Sequence, residues 1–407
     1  MHLLFLHQNF PAQFGPVAAH LAGRGDRVTF ASHTGSGAIP GVERMAYQLR
    51  GGATARTHYA ARTFENAVWH SHAAYDALRA RPDVVPDLVV AHSGFLSTLP
   101  LRELYRCPII NYFEYFYHVL DSDMDFRPEF PVAEADRLRA RFRNATLLLD
   151  LDHCDLGYAP TYWQRDRLPA LYRPKVRVVF DGIDTQLWRP PPARPVTPRR
   201  VGPITVPDGV KLVTYAARGL ESMRGFDVFM RLAKRLCERR ADVRFLVVGQ
   251  DRVCYGGDDK HTGGKSFKEW VLARDDYDLS RFTFTGLLPP AELAQVFAIS
   301  DLHVYLTVPF VLSWSLLDAL ACGALVLASG TAPVREVIEH GRNGLLADFF
   351  DLDTMADLAC RSLDAPAEHE PLRRAAVETV RERYSLEVCL PQMLRMYDEA
   401  LGTRPPT

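Results

Sequence analysis

A chain of 407 residues exceeds the size at which one hydrophobic core usually stops growing, so two domains of roughly 150–200 residues are expected. The hydrophobic fraction of 47% and charged fraction of 24% are those of an ordinary soluble globular protein, and a formal net charge of -1 argues against a surface built to wrap a polyanion, so no nucleic-acid partner is expected. The seven cysteines are odd in number, far apart and never in a CxxC pair, which fits reduced thiols in a cytoplasm.

The opening run MHLLFLHQNF has no basic flank and is too short and too broken by histidine for a secretion signal, so it reads as a first strand, His2–His7. A helix over Phe14–Gly23, a strand at Val28–Ala31, a helix within Asn66–Arg81 and strands at Leu88–Ala91 and Ile109–Tyr112 follow; this alternation predicts a mostly parallel sheet covered on both faces. The segment Val176–Asp184 adds a strand and a turn, after which the prolines of RPPPARPVTPRR, Arg189–Arg200, end the regular pattern as a loop or linker. The alternation then restarts, with strands at Lys211–Ala216, Arg244–Val248, Arg281–Thr285, Leu302–Leu306 and Ala324–Ala328. Helices are expected near Phe226–Arg239, Pro290–Ser300 and Ser315–Ala321. Two doubly wound domains, 1–185 and 200–383, are therefore expected, with the last helix, about 386–402, packing back on the first. No run of eighteen apolar residues occurs, so no membrane span is predicted, while peripheral membrane contact stays open.

In such sheets ligands sit beyond the C-terminal strand ends, where loops meet helix N-termini. The loop ARGLESMRGF carries Arg218 and Arg224 towards a helix, and two guanidiniums beside a helix N-terminus suit a diphosphate: fixed donors match its oxygens and the dipole adds favourable potential. Two solvated arginines with Glu221 as salt-bridge partner is the alternative. Gly249 permits a close backbone approach to a ligand and is equally an ordinary turn residue. Gly286 with the backbone of Leu287 and Leu288 can flank a flat base, or simply lead into a helix begun by proline. Ahead of the helix at Ser315, the amides of Val311, Leu312 and Ser313 are expected to point outward unsatisfied, ready for phosphate or hydroxyl oxygens. Asp318, one turn in, can accept two hydrogen bonds from a vicinal diol such as a ribose; capping by Ser313 or Ser315 with a dipole-favoured aspartate is the plainer reading.

In the first half, His7 in LHQNFPAQFG, which also holds Gly15, and His92 in VVAHSGF follow equivalent strands and face one edge; a lone histidine is more often structural, and two at equivalent strand ends shift the balance modestly towards function. The aromatics of NYFEYFYH, Asn111–His118, can stack on an acceptor ring or form core. DSDMD, Asp121–Asp125, imitates a metal-binding DxD in the wrong architecture, so no metal is expected. GGKS, Gly263–Ser266, fails as a P-loop because Asp259 stands where its first glycine belongs. No GxSxG elbow supports hydrolase chemistry.

The stretches YAARGLESMRGF, FLVVGQD, FTFTGLLPPAELAQVFAISDLHVYL, SWSLLDALACGALVLAS and GTAPVREVIEHGRNGLLADF span most of residues 210 to 350 and resemble the GT-B glycosyltransferases of family 4, a large retaining family. HQNFPAQFGPVAAHLAGRGDRVTFAS and DLVVAHSGF match it more loosely. The resemblance implies an α/β GT-B fold, two Rossmann-like domains facing across a cleft. It implies a nucleotide-diphosphate sugar, UDP- or GDP-linked, on the second domain and a small-molecule, glycan or lipid-linked acceptor on the first. Transfer would proceed with retention and without metal or other cofactor. By the same resemblance Arg218 is the diphosphate-binding arginine and Arg224 stands where a lysine is usual. In the mechanism built on this, His92 is expected to line the sugar site and help orient the donor or acceptor, with His7, Gly15 and His118 as further acceptor- or sugar-site candidates. Asp318 takes the place of the second glutamate of the E-x7-E motif; the first falls on Phe310, which makes donor identity less predictable. The rivals are a nucleotide-sugar epimerase of the same architecture, for which no acid/base carboxylate pair is identifiable, and a non-catalytic nucleotide-sugar binder with a decayed site.

Overall fold

Strands that are apolar at every position, rather than at every second one, must be buried on both faces, and such strands centre both α/β units of this computed structural model, which describes residues 1–191 and 199–402. Most of the expected proline-rich linker, residues 192–198, lies outside the described residues.

The first unit holds a parallel sheet of β1 (His2–Leu6), β2 (Arg27–Ser32), β3 (Val42–Ala46), β4 (Leu88–His92), β5 (Ile109–Tyr112), β6 (Leu156–Ala159) and β7 (Val176–Val178), in the order β3-β2-β1-β4-β5-β6-β7. Successive residues of β1 serve opposite layers. Leu3 and Phe5 pack with Val17, Ala18 and Leu21 of α1 (Gly15–Gly23), whereas Leu4 and Leu6 pack with Ala74 and Leu78 of α2 (Arg62–Arg79). A third helix of this unit, α3 (Ala145–His153), sends Leu147 and Leu151 into a cluster with Phe113. The sequence reading missed β3, an edge strand with only Met45 buried, and β6, whose LGYA looks like a strand breaker. Gly157 is there because a Cβ would lie 2.6 Å from the ring of Phe113.

In the second unit β8 (Lys211–Gly219), β9 (Val243–Gln250), β10 (Phe282–Gly286), β11 (Leu302–Tyr305), β12 (Val326–Ser329) and β13 (Leu345–Ala347) run parallel in the order β10-β9-β8-β11-β12-β13. Helix α4 (Phe226–Arg239) buries Phe229, Leu232, Ala233 and Leu236, one stripe at helical spacing; α5 (Pro290–Ile299) and α6 (Trp314–Ala321) follow β10 and β11.

Two segments join a unit other than that of their sequence neighbours. Helix α7 (Leu386–Gly402) belongs to the first unit, where Met393, Met396, Tyr397 and Ala400 are buried in the cluster of Leu3, Phe5 and Val90. Phe126–Pro131 belongs to the second, although residues 1–125 and 132–182 form the first.

In both sheets the order reverses between the first strand and its later neighbour, β1 beside β4 and β8 beside β11, so the loops leaving those strands diverge and open a crevice at their C-terminal ends. His7 and His92 lie at one such point. The turn carrying Arg224 and the segment 306–313 lie at the other.

Candidate functional site

The end of β8 sets the second site. Arg218 is exposed, and its guanidinium makes no hydrogen bond or ion pair among the described residues. The chain then forms a tight turn, Ser222–Arg224, closed by Gly225 at φ 63°. Only glycine fits there, because a Cβ would stand 2.7 Å from that of Leu306. The Tyr215 hydroxyl donates to the Arg224 carbonyl at 2.8 Å and the Val308 amide to that of Met223 at 3.1 Å, which ties the turn to β8 and to the loop after β11.

Arg224 is itself buried. Its Nη1 donates to Thr307 Oγ1 at 2.9 Å and to the Val311 carbonyl at 3.1 Å, and its guanidinium lies 5.3 Å from the ring of Tyr255 and 5.7 Å from that of Phe310. Those two rings are 5.4 Å apart. Phe310, at the position where the resemblance places a glutamate, is thus one wall of an aromatic cage around the cation, a contact of about 0.5–2 kcal/mol.

Glu221 is fully buried and is not a salt-bridge partner of either arginine: one oxygen, Oε2, accepts the amides of Cys254 and Tyr255, and the other, Oε1, has no hydrogen-bond partner among the described residues. Burial outweighs those amide bonds and pushes its carboxyl up to about 7. Between its ordinary 4.5 and about 7 the folded protein then holds a proton that the unfolded chain has lost, so stability falls as pH rises through that window. Glu221→Gln is expected to remove a slope worth up to about 3 kcal/mol, read by chemical denaturation at pH 5 and pH 7.5. The slope of the same sign from Asp150, buried in the first unit and also pushed up to about 7, stays in place.

The segment before α6 departs from expectation in one respect. The Ser313 amide is not free, because it donates to the Tyr305 hydroxyl at 2.9 Å, whereas the amides of Val311 and Leu312 reach no protein acceptor among the described residues. The plain capping reading is also absent: Ser313 makes no side-chain cap and its Oγ is 3.0 Å from that of Ser315. Asp318, on α6, is 8% exposed and forms no ion pair among the described residues, and burial holds its carboxyl well above the usual range.

Gly249 sits at φ 155°, but what it lets approach is the chain itself: a Cβ would lie 2.7 Å from the Ala217 carbonyl and 2.9 Å from Leu220. At Gly286 the surrounding space is open, with Leu287 exposed and Leu288 half-buried.

In the first unit the rings of His7 and His92 meet edge to face, 5.0 Å apart, with Phe95 stacked 4.7 Å from His92. Burial, then the neighbouring His92, lowers the His7 imidazole to about 3, so it is neutral; its Nδ1 lies 2.8 Å from the donating Asn9 amide. His92 Nε2 is 3.4 Å from Glu114 Oε2, and its buried Nδ1 has no partner among the described residues. The loop after His92 is anchored by Asp150, on α3, which accepts from Ser93 and Ser97 at 2.6 Å and from the Thr98 amide at 3.1 Å. Glu114 was missed in the sequence, although it lies two residues beyond β5, the neighbour of β4.

Two candidates stand apart from that pair. His118 Nε2 is 2.8 Å from the Arg167 carbonyl, and Gly15 accommodates Pro11, 3.3 Å from where its Cβ would be. Tyr112, Phe113, Tyr115 and Phe116 are buried, as the core reading of those aromatics requires. Asp125, in the DxD-like run, accepts the amides of Asp121 and Ser122. Among the described residues no group of three or more His, Cys, Asp or Glu is placed to hold a metal, and no helix is long and apolar enough to cross a membrane.

Comparison with known proteins bears on both units. A family model described as glycosyl transferase family 4 group matches residues 24–188, and one described as glycosyl transferases group 1 matches residues 210–365. The D-inositol 3-phosphate glycosyltransferase of Corynebacterium jeikeium is 27% identical over 183 residues, 45% of this chain and 42% of that protein. The chain spans about half the length of the curated relatives it matches. Among solved structures, sucrose-phosphate synthase from Thermosynechococcus elongatus superposes with a TM-score of 0.73 at 16% identity, covering 99% of this chain and all of the other. HepE of Anabaena, in complex with UDP-glucose, gives 0.67 at 15% identity over 98% of this chain and all of the other. With consecutive glycosyltransferase models across both sheets and the GT-B fold in its structural neighbours, the chain belongs to the GT-B glycosyltransferases of family 4.

Proposed function

We propose that the protein transfers a glycosyl group from a nucleotide-diphosphate sugar, UDP- or GDP-linked, to an acceptor hydroxyl, with retention and without a metal or other cofactor. The observation that carries this reading is the caged Arg224 at the switch point of the second sheet, beside the amides of Val311 and Leu312, which meet no protein acceptor among the described residues. Arg218 and Arg224 neutralise the charge that builds on the departing diphosphate; no protein nucleophile is needed. Asp318 accepts the ribose hydroxyls. His92 orients the sugar or the acceptor, with Glu114 at 3.4 Å steadying its ring, and the first unit takes the acceptor. The UDP-glucose complex of HepE supports a uridine nucleotide among the donors. Seven free thiols suit a cytoplasmic enzyme.

Thermal unfolding with UDP-, GDP-, ADP- and TDP-sugars is expected to give a raised midpoint for one base, since a ligand that binds the folded state stabilises it by mass action. Product analysis of the stabilising donor then decides the class. Transfer or slow hydrolysis is the expected result; an isomerised donor would indicate an epimerase, and binding without chemistry a non-catalytic binder.

A further inference from the structure

The turn that presents Arg224 is held from a direction the reading above does not use. Phe126–Pro131 leaves the first unit's chain, packs on the second unit and returns. Phe126 sits between Phe349 and Phe350, at ring separations of 5.2 and 5.1 Å, and Phe130 packs on His261, Phe267 and Trp270 at 5.6–5.8 Å. Between these anchors Arg127, 4% exposed, lies 4.9 Å from the ring of Phe130 and 5.0 Å from that of Phe349. All the directions of its planar fork are used. Nη2 donates to Asp227 Oδ2 at 2.7 Å, Nη1 to Asp227 Oδ1 at 3.3 Å, Nε to Glu129 at 2.7 Å, and Nη1 also to the Ser222 carbonyl at 3.0 Å.

Ser222 is the first residue of the Arg224 turn. Its amide donates to the buried Asp258 at 2.7 Å and its hydroxyl donates to the same carboxylate, so Arg127 and Asp258 grip one residue from its carbonyl and amide sides. Asp227, in the first turn of α4, ties the same guanidinium to the helix that begins immediately after the turn. A buried guanidinium is costly unless every donor is satisfied; here Glu129 of the strap takes Nε, and the bonds to Ser222 and Asp227 reach the two ends of the Ser222–Phe226 corner. The strap's aromatic anchors alone would fasten it to the second unit; the arginine does more than that.

We propose that Phe126–Pro131 is a strap through which the first unit's chain completes the diphosphate grip, with Arg127 as a positioning residue that fixes the Ser222–Arg224 turn. The proposal rests on the reading that this turn binds the donor's diphosphate. It adds that the grip is incomplete in the second unit's own stretch of chain.

Calorimetric titration of the full chain with UDP, GDP, ADP and TDP, using whichever binds most tightly, tests it. Arg127→Ala is expected to raise Kd about tenfold at unchanged stoichiometry, whereas loss of folded protein would lower the stoichiometry and leave Kd alone. Arg127→Lys, with one point donor in place of the fork, is expected to recover part of that loss. In an Arg224→Ala background, Arg127→Ala is expected to add less than about twofold, because its route to the ligand has gone. A wild-type Kd in Arg127→Ala, or losses that multiply in the double variant, would overturn the strap proposal while leaving the donor site standing. An unchanged Kd in Arg224→Ala, or no nucleotide bound by the wild type, would overturn the donor reading and the strap with it. If Arg127→Ala does not fold, Asp227→Asn carries the test: it leaves Arg127 present but loosened, with an expected rise in Kd of about threefold, and a wild-type Kd there overturns the proposal.

Discussion

Arg218→Ala is expected to lower kcat by about 10²–10³ with the unfolding midpoint unchanged, because the side chain is exposed and makes no hydrogen bond or ion pair among the described residues. The same loss of turnover is expected from Arg224→Ala, accompanied by a loss of stability of about 1–3 kcal/mol, since Thr307 and the Val311 carbonyl lose their donor. The contrast is the point of the pair: equal kinetic effects with unequal structural ones separate charge stabilisation of a leaving group from support of the loop. Arg224→Lys keeps the charge but not the fork, and should recover turnover partly. Steady-state rates with the donor selected by thermal screening, alongside denaturation curves, read both quantities. A kcat for Arg218→Ala within about threefold of wild type would remove the leaving-group role.

Phe310→Glu, which reinstates the residue the family resemblance places there, is expected to reduce kcat/KM by about 10–10² rather than to raise it. The ring at 310 is 5.7 Å from the Arg224 guanidinium and only 8% exposed. A carboxylate at that distance pairs with Arg224 by about 3 kcal/mol at an effective dielectric constant of about 20, and it does so in competition with the diphosphate. Phe310→Leu keeps the wall apolar and should cost far less. Donor-saturation curves for the two variants decide the matter, and a gain in kcat/KM for the glutamate would show that the cage is dispensable.

What could be read from the sequence was set by how local the signal is. Lys211–Ala216 and Leu302–Leu306 announce themselves because buried parallel strands are continuous apolar runs, and Arg218, Arg224 and His92 were found by asking which residues follow such runs. Glu114 needed only the same question put to β5. The remainder depends on partners distant in the chain. Nothing in ARGLESMRGF shows that Glu221 turns inward to two amides at 254 and 255, and nothing near Ser313 shows that the hydroxyl of Tyr305 takes its amide. Gly249 marks a close approach without naming its neighbours in the chain; Ala217 and Leu220 crowd the place of its Cβ. FRPEFP, between two polar stretches, carries no periodicity at all, yet Arg127 and Phe130 are buried in the second unit and Phe126 packs on Phe349 and Phe350.

The placement of α7 bears on the order in which the molecule is made. Met393, Met396, Tyr397 and Ala400 belong to the same buried cluster as Leu3 and Phe5, so part of the cover of the sheet that contains β1 is synthesised only after the whole of Ile183–Ser385. The intervening segment, from Ile183 to Ser385, can close its own core beforehand. During translation that part of the cover therefore joins α1 on the first sheet only after the second unit's own stretch has been made.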